Sequence, residues 1–478
     1  MSRIVVVGAG VGGLTAAGRL AAAGHQVSVY EQADVVGGKL GRFTRDGFTF
    51  DTGPSLFTLP QVFDDLGLDP VPLDPVVRHV FPDGSTLDSS SDPSVFEARI
   101  AHAFGADAAA DWQRLWRRAG RVWDASWRDI LRTPLDSPLS LAGLAWRLGD
   151  LAAIAPGRSL RGLGRRHLRD PRLRMLLDRY ATYTGTDPRR APAALVAVPY
   201  AELAFGGWYL PGGLGTLADA LLARCTALGV PVRTGCAVTG IDAVGGRVHG
   251  VRLADGTRVP ADVVVANVDA LSLYRDLLPT PRRLARLADR SLAGFVLLLG
   301  VRGRSGSAHH TVFFPGDYDA EFDAVFGDPG RGVPARPTAD PTVFVTVADD
   351  PAVRPAGHEA WFVLVNAPRH GRALAAVDWR RPGLADAYAD RVLDVLAARG
   401  VDVRDRVVFR EVRTPADLAD ATATPGGAIY GTAGGLLRPP NRGPVDGLFL
   451  VGGSTHPGGG LPMVTLSAQI VADRIGPA

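Results

Sequence analysis

RIVVVGAGVGGLTAAGRLAAAGHQVSVYE, residues 3–31, decides the fold. Residues 3–7 form a continuous apolar run, the pattern of a parallel strand buried on both faces. GAGVGG follows, then LTAAGRLAAAGH with helical apolar spacing, then a second strand ending in QVSVYE. Strand, glycine turn, helix and strand in this order predict the opening of a Rossmann-type α/β unit. Gly8, Gly10 and Gly13 fill GxGxxG, with Gly12 inside it. Gly8 permits the tight turn, Gly10 lets backbone approach a pyrophosphate, and Gly13 lets the helix pack on the sheet. The helix N-terminus offers free N–H groups and partial positive charge to phosphates. Glu31 closes the second strand at the distance where an acid reaches ribose hydroxyls. The motif alone does not choose between NAD and FAD.

Working outward, the next block is VYEQADVVGGKLGRF, residues 29–43. Lys39 is the only lysine among 52 Lys and Arg residues, and it directly follows Gly37 and Gly38. DGFTFDTGPS, residues 46–55, comes soon after. E-x(5)-GGK followed by GF-x-F-D-x-GPS resembles the flavin-binding start of the amine oxidase and phytoene desaturase superfamily. The resemblance implies FAD as cofactor. It implies that Gly37 and Gly38 bring backbone beside the FAD, that Lys39 meets the pyrophosphate region, and that Pro54 and Ser55 border the cofactor.

The far end of the chain supports the same family. GLFLVGGSTHPGGGLPMVTLSAQIVADRIG, residues 447–476, reads as a buried strand, a glycine-rich turn and a helix opened by Leu461-Pro462 and running to about Ile475. Proline suits a first helical turn. This block resembles the C-terminal signature of carotenoid desaturases of the phytoene desaturase type, which implies that Gly453, Ser454, Pro462 and Met463 contact the flavin. The helix N-terminus would then stabilise reduced flavin by ~0.3–1 kcal/mol. RYATYTGTDPRRAPAAL (179–195), GGWYLPGGLGTLADAL (206–221), VVVANVDALSLYRDLLP (263–279) and HHTVFFPGDYDAEFDAVFG (309–327) agree in order, so the resemblance spans nearly the whole chain. RYATYTG and HHTVFFPGDY resemble the branch that desaturates hydroxylated acyclic carotenoids. Leu461 and Met463, flanking Pro462, depart from the pattern and leave the substrate open.

Such a chain crosses between units several times. We expect FAD-binding segments at 1–79, 206–285 and 421–478, a helical substrate and membrane-facing region at 80–205, and a mixed substrate-domain sheet at 286–420. VPVRTGCAVTGID and GRVHGVRLADG predict a hairpin turning at Gly245-Gly246, and the resemblance places the backbone of Val238 near adenine. FVLLLGV, TVFVTVA, AWFVLVNAP and RVVFREV predict the strands of the second sheet, with LADAYADRVLDVLAARG as its helix. Tyr180, Tyr183 and Trp208 are candidate liners of a polyene tunnel. His456 lies in a cofactor motif but reads better as a loop-shaping residue, and His309-His310 as a structural pair.

Trp112, Trp116, Trp123 and Trp127 recur at spacings that put them on one helix stripe. Residues 114–190 carry 17 Arg, 7 Asp and no Glu or Lys. An apolar face with an arginine rim suits a bilayer interface, with Trp at headgroup depth. A protein peripheral to the inner face of the cell membrane, in the cytoplasm, is the expectation.

Bulk properties exclude several classes. The formal net charge is only +3, so arginine richness gives no nucleic-acid partner. Two cysteines without CxxC spacing predict neither a disulfide framework nor a metal site. No signal peptide or spanning helix is expected. The family implies hydride transfer from a hydrophobic polyene to FAD, with oxygen or quinone as electron acceptor. The alternative is oxidation of an amine or natural-product ring on the same scaffold. No proton-abstracting residue, and so no catalytic residue, is assignable from the sequence.

Overall fold

The computed structural model describes residues 1–136, 140, 146–287, 289–432 and 438–478. Its first sheet has five parallel strands in the order Val232–Arg233, Gln26–Tyr30, Arg3–Val7, Val263–Ala266 and Leu448–Leu450. Val5 pairs with Ser28 on one side and Val264 on the other, and Val265 pairs with Phe449. The apolar run at 3–7 is therefore central, with Ile4 to Val7 all buried. Strands from three distant parts of the chain build this sheet, which is why a single N-terminal motif cannot describe it.

The first helix, Val11–Ala22, and the last, Leu461–Ile475, pack side by side. Their ends are tied together. His25 Nε2 lies 2.9 Å from the Gly476 carbonyl, and Ala478 N donates to Ala23 O at 3.0 Å. The expected hairpin is present, Val238–Val244 against Arg247–Leu253, with both turn glycines at positive φ.

The second sheet has seven strands in the order Val407–Arg413, Ala293–Arg302, His358–Ala367, Val343–Val347, His310–Phe313, Arg78–Val80 and Thr86–Asp88. It is mixed, because His310–Phe313 runs parallel to Arg78–Val80 while the other pairs are antiparallel. The four predicted strands are its first four, from the edge strand Val407–Arg413 inward. Thr86–Asp88 is a strand, although it sits in the stretch read as helical from residue 80. Leu384–Ala398 covers one face through Tyr388, Val392 and Leu396.

The tryptophan stripe corrects one expectation. Helix Ala106–Ser126 is present, but Trp112 and Trp123 are 4% and 6% exposed. Trp112 meets Phe96 edge-on, Trp116 lies on Tyr200, and Trp123 packs against Phe205 and Trp127. The apolar face of this helix is thus spent on a protein core, which buries Trp112 and Trp123 and half-buries Trp116 and Trp127. Part of the following Leu/Ala stretch, residues 137–139 and 141–145, lies outside the described residues. No helix among the described residues is long and apolar enough to cross a membrane.

Candidate active site

The glycine turn is packed backbone to backbone. A Cβ on Gly13 would stand 2.1 Å from Gly8 O, and Gly8 itself has φ +96°. Gly37 N donates to Ala9 O at 2.9 Å, and a Cβ on Gly38 would meet Gly10 Cα at 3.3 Å. GxGxxG and the GGK turn therefore form one continuous backbone surface. Glu31, 8% exposed, accepts from Ala9 N at 2.7 Å and from Ala33 N at 2.9 Å, so its carboxylate sits against the turn. Cys236 N donates to Glu31 O at 2.7 Å, which brings the approach to Val238 alongside. Gly10 caps the first helix without a side-chain partner, and the first turn holds no acid. A helix N-terminus beside a glycine cradle fits the diphosphate of a dinucleotide.

Sequence reasoning missed Asn267, at the C-terminal end of strand Val263–Ala266. With its amide oxygen turned toward the cradle, it accepts from Gly10 N and Gly13 N at 3.2 Å each. Only its place at the end of an apolar strand beside the first could have signalled this. Asp51, from the FDTGPS block, accepts from Leu214 N at 2.6 Å and Gly215 N at 2.8 Å. It thereby opens helix Gly215–Ala227 and locks two family blocks together. Pro54 is half-buried, and Ser55 Oγ accepts from Thr346 Oγ1 at 3.1 Å, joining the first block to the second sheet.

Lys39 is no surface lysine. Its ammonium donates to Ala428 O at 3.0 Å and Ile429 O at 2.7 Å. Burial lowers its pKa to about 8, opposed by Asp269 and reinforced by Arg290. Asp269 and Arg290, both 3% exposed, pair at 2.7 Å, while Arg290 Nε and Nη1 have no partner. Arg438 hydrogen-bonds the Tyr430 carbonyl and Thr432, and burial lowers its pKa to about 10. Lys39, Arg290 and Arg438 thus gather near a single carboxylate. Buried cations with orphaned donors fit an anionic group at this place. Lys39→Ala is expected to lower flavin occupancy of the purified protein about tenfold, a loss typical of a charge-assisted contact; unchanged occupancy in an absorbance ratio would remove that role.

The C-terminal turn meets the same region. Ser454 Oγ accepts from Ala270 N at 2.9 Å, and Gly453 faces Gly459. Gly460, at φ +105°, caps the last helix without a side-chain partner, and Pro462 occupies its first turn. His456 is 1% exposed, with Nε2 2.9 Å from both Ile130 O and Thr133 O. It anchors the end of the tryptophan helix to the cofactor turn, as a loop-shaping residue does.

Met463 packs against the large apolar core of the helical region. A buried polar group lies in that core. Tyr180 OH donates to Glu202 Oε1 at 2.8 Å, and Arg179 Nη1 donates to Tyr183 OH at 2.9 Å. Glu202 is 2% exposed, and Oε2 makes no hydrogen bond of good geometry. Burial raises its pKa, with Arg179 and the hydroxyls of Tyr180 and Tyr183 opposing. The Arg179 guanidinium lies 5.0 Å from the Tyr183 ring centre and 5.6 Å from that of Phe344. Tyr430, whose hydroxyl burial pushes up to about 12, feels the Arg179 charge and packs on Gly459. Tyr430 therefore links the charge of Arg179 to the glycine run that opens the last helix. Arg179 opens the RYATYTG block, but nothing in the sequence ties it to Glu202, 23 positions on. Trp208 is half-buried, its ring N–H donating to Phe205 O at 2.9 Å.

Comparison with known proteins agrees with this geometry. The model of the flavin-containing amine oxidoreductase family matches residues 11–476. A 4,4'-diapolycopene oxygenase of Methylomonas sp. is 34% identical, with 99% of this chain and 98% of that protein covered. A hydroxyneurosporene desaturase of Rubrivivax gelatinosus is also 34% identical, over 99% and 93% of the two chains. Among solved structures, an oxidoreductase from Methanosarcina mazei superposes with a TM-score of 0.65 at 17% identity, covering 98% of this chain and 100% of that one. The last likeness carries the fold alone. The family match over residues 11–476 and the whole-length identities place the chain in the flavin-containing amine oxidoreductase family, in its carotenoid desaturase-like group, with FAD as cofactor.

Proposed function

We propose that this protein is an FAD-dependent carotenoid desaturase, taking hydrogen from adjacent carbons of a long apolar polyene. The observation that carries the reading is identity to a hydroxyneurosporene desaturase over 99% of the chain. Bound flavin supplies the hydride acceptor. The chain supplies a dry setting and a proton acceptor. The core that holds Tyr180, Leu203 and Phe322 receives Met463 from the last helix, so apolar substrate and flavin edge share one wall. Each CH₂ moved from water into such a wall gains ~0.8 kcal/mol. Glu202 is the carboxyl that would accept the proton; Tyr180 holds it by a hydrogen bond, and the charge of Arg179 limits its pKa rise. Tyr183 and Trp208 line the substrate path. The segments 1–79, 206–285 and 421–478 serve the cofactor, and 80–205 with 286–420 serve the substrate. Electrons leave to oxygen or quinone, and the protein works at the inner face of the cell membrane.

A second reading has its own support. The diapolycopene oxygenase is equally similar at 34% identity, so oxygen insertion is the competing reaction. Product mass separates them. Coexpression with a hydroxylated acyclic carotenoid should yield a red-shifted pigment lighter by two hydrogens per step. A product heavier by oxygen, with no lengthened chromophore, would establish the second reading.

A further inference from the structure

Aspartates accompany many of the arginines on this surface. Arg78 pairs with Asp88, Arg99 with Asp74, Arg189 with Asp187 and Arg404 with Asp402. Other arginines have no ion pair among the described residues, and three of them meet at one place. Arg118, Arg158 and Arg166 line a cavity of about 170 Å³ with Ala152, Ala155 and Leu163, and no carboxylate faces it. Among the described residues, none of these three arginines has a carboxylate partner.

The cavity is built rather than accidental. Arg118, on helix Ala106–Ser126, is half-buried and donates to Ala152 O at 2.7 Å, which fixes its guanidinium. Its Nε is buried without a partner. His167 Nε2 beside it is also buried without a partner. Burial and the charges of Arg121, Arg166 and Arg158 together lower the Arg118 pKa. Like charges held together without a counter-charge mark a site that an anion completes. Guanidinium forks match the oxygens of a phosphate.

Its surroundings identify which anion. Leu148 and Ala152 stand one turn apart on helix Leu148–Ile154, hence on one face. Leu148 is 75% exposed and Trp146 is 88% exposed. A soluble phosphate explains three arginines but not a bare tryptophan and leucine beside them. A lipid explains both, since its phosphate sits where its acyl chains begin. We propose that the Arg118–Arg158–Arg166 cavity receives the phosphate of an anionic phospholipid headgroup, with Trp146 and Leu148 entering the acyl boundary beside it. The proposal rests on the reading of the protein as peripheral to a membrane, and it names the contact. It also moves the membrane-facing surface from the tryptophan stripe, which is core, to the adjoining helix.

Vesicle co-sedimentation of the flavin-loaded protein tests it. Vesicles are phosphatidylcholine alone or phosphatidylcholine with phosphatidylglycerol. Wild type should sediment with the anionic vesicles only. Arg158→Gln/Arg166→Gln, both at exposed positions, should weaken partitioning about tenfold or more. Trp146→Ser/Leu148→Ser should weaken it on the same vesicles at high salt, where charge is screened. Arg258→Gln/Arg282→Gln removes two exposed arginines elsewhere and should change partitioning less than about twofold. Equal losses in the two arginine pairs would reduce the effect to bulk charge and overturn the site. Thermal stabilisation of wild type by inorganic phosphate, lost in Arg158→Gln/Arg166→Gln, with no vesicle binding, would make the ligand a free anion and overturn the lipid assignment. Absence of wild-type binding to either vesicle overturns the peripheral reading itself. Turnover on polyene delivered in detergent micelles should be unchanged in all three variants. Its absence in wild type would strike the desaturase reading and leave the vesicle results standing.

Discussion

Gly13→Ala is expected to purify without the yellow of bound flavin. A Cβ there would stand 2.1 Å from Gly8 O, and both partners are backbone of the same turn. Neither can yield without moving the first helix off the sheet. Forcing extra volume into such a contact costs ~1–3 kcal/mol, which corresponds to about ten- to hundredfold weaker cofactor binding. The flavin-to-protein absorbance ratio after purification, and the rise in melting temperature on adding FAD, measure it. Gly18→Ala on the same helix is the control. Its Cβ would meet Arg224 Cδ at 3.6 Å, an ordinary contact. Alanine is favoured over glycine within a helix by ~0.5–1 kcal/mol, so this variant should keep its flavin and melt slightly higher. A yellow Gly13→Ala protein would refute the assignment of the cradle.

The second large effect concerns Arg179 and Glu202. Arg179→Met removes the buried cation whose charge opposes the rise of the Glu202 pKa, and its hydrogen bond to Tyr183, and should cost ~1–3 kcal/mol of stability. Glu202→Gln keeps the shape and should cost less. It should nevertheless lower kcat about 100-fold or more, the contribution of a positioned base, with flavin content unchanged. The double variant should recover stability relative to Arg179→Met alone, giving a coupling above ~1 kcal/mol. Additive losses would mean the two groups do not act together. The sign of the pH dependence follows from the raised pKa of Glu202. Folded protein binds its proton more tightly than unfolded chain does. Stability from this group is present at low pH and declines as pH rises from the ordinary glutamate value of 4.5 toward the higher folded value. Glu202→Gln should remove that decline in urea melts run across the window.

Local patterns carried much of the fold. The apolar run at 3–7, the glycine turn and the Leu461-Pro462 helix start were readable because each rests on neighbours in sequence. So were the hairpin at Gly245-Gly246 and four strands of the second sheet. What stayed hidden depends on residues far apart. Asn267 reaches the glycine turn, Asp51 caps a helix more than 160 residues later, and Glu202 meets Tyr180 only through folding. The tryptophan stripe failed for a different reason. Helical spacing fixes that four rings share a face, but a core and a bilayer interface satisfy that spacing equally. Phe96, Tyr200 and Phe205 decide between them, and none is local to the stripe.

The closing strand Leu448–Leu450 and the helix Leu461–Ile475 belong to the last tenth of the chain, yet they complete the sheet begun at Arg3. Without that segment the strand Val263–Ala266 would present a bare row of backbone donors and acceptors, since Leu448–Leu450 is what pairs with it. An unpaired β-edge is a template for other chains, so the docking of the closing strand also guards this protein against self-association.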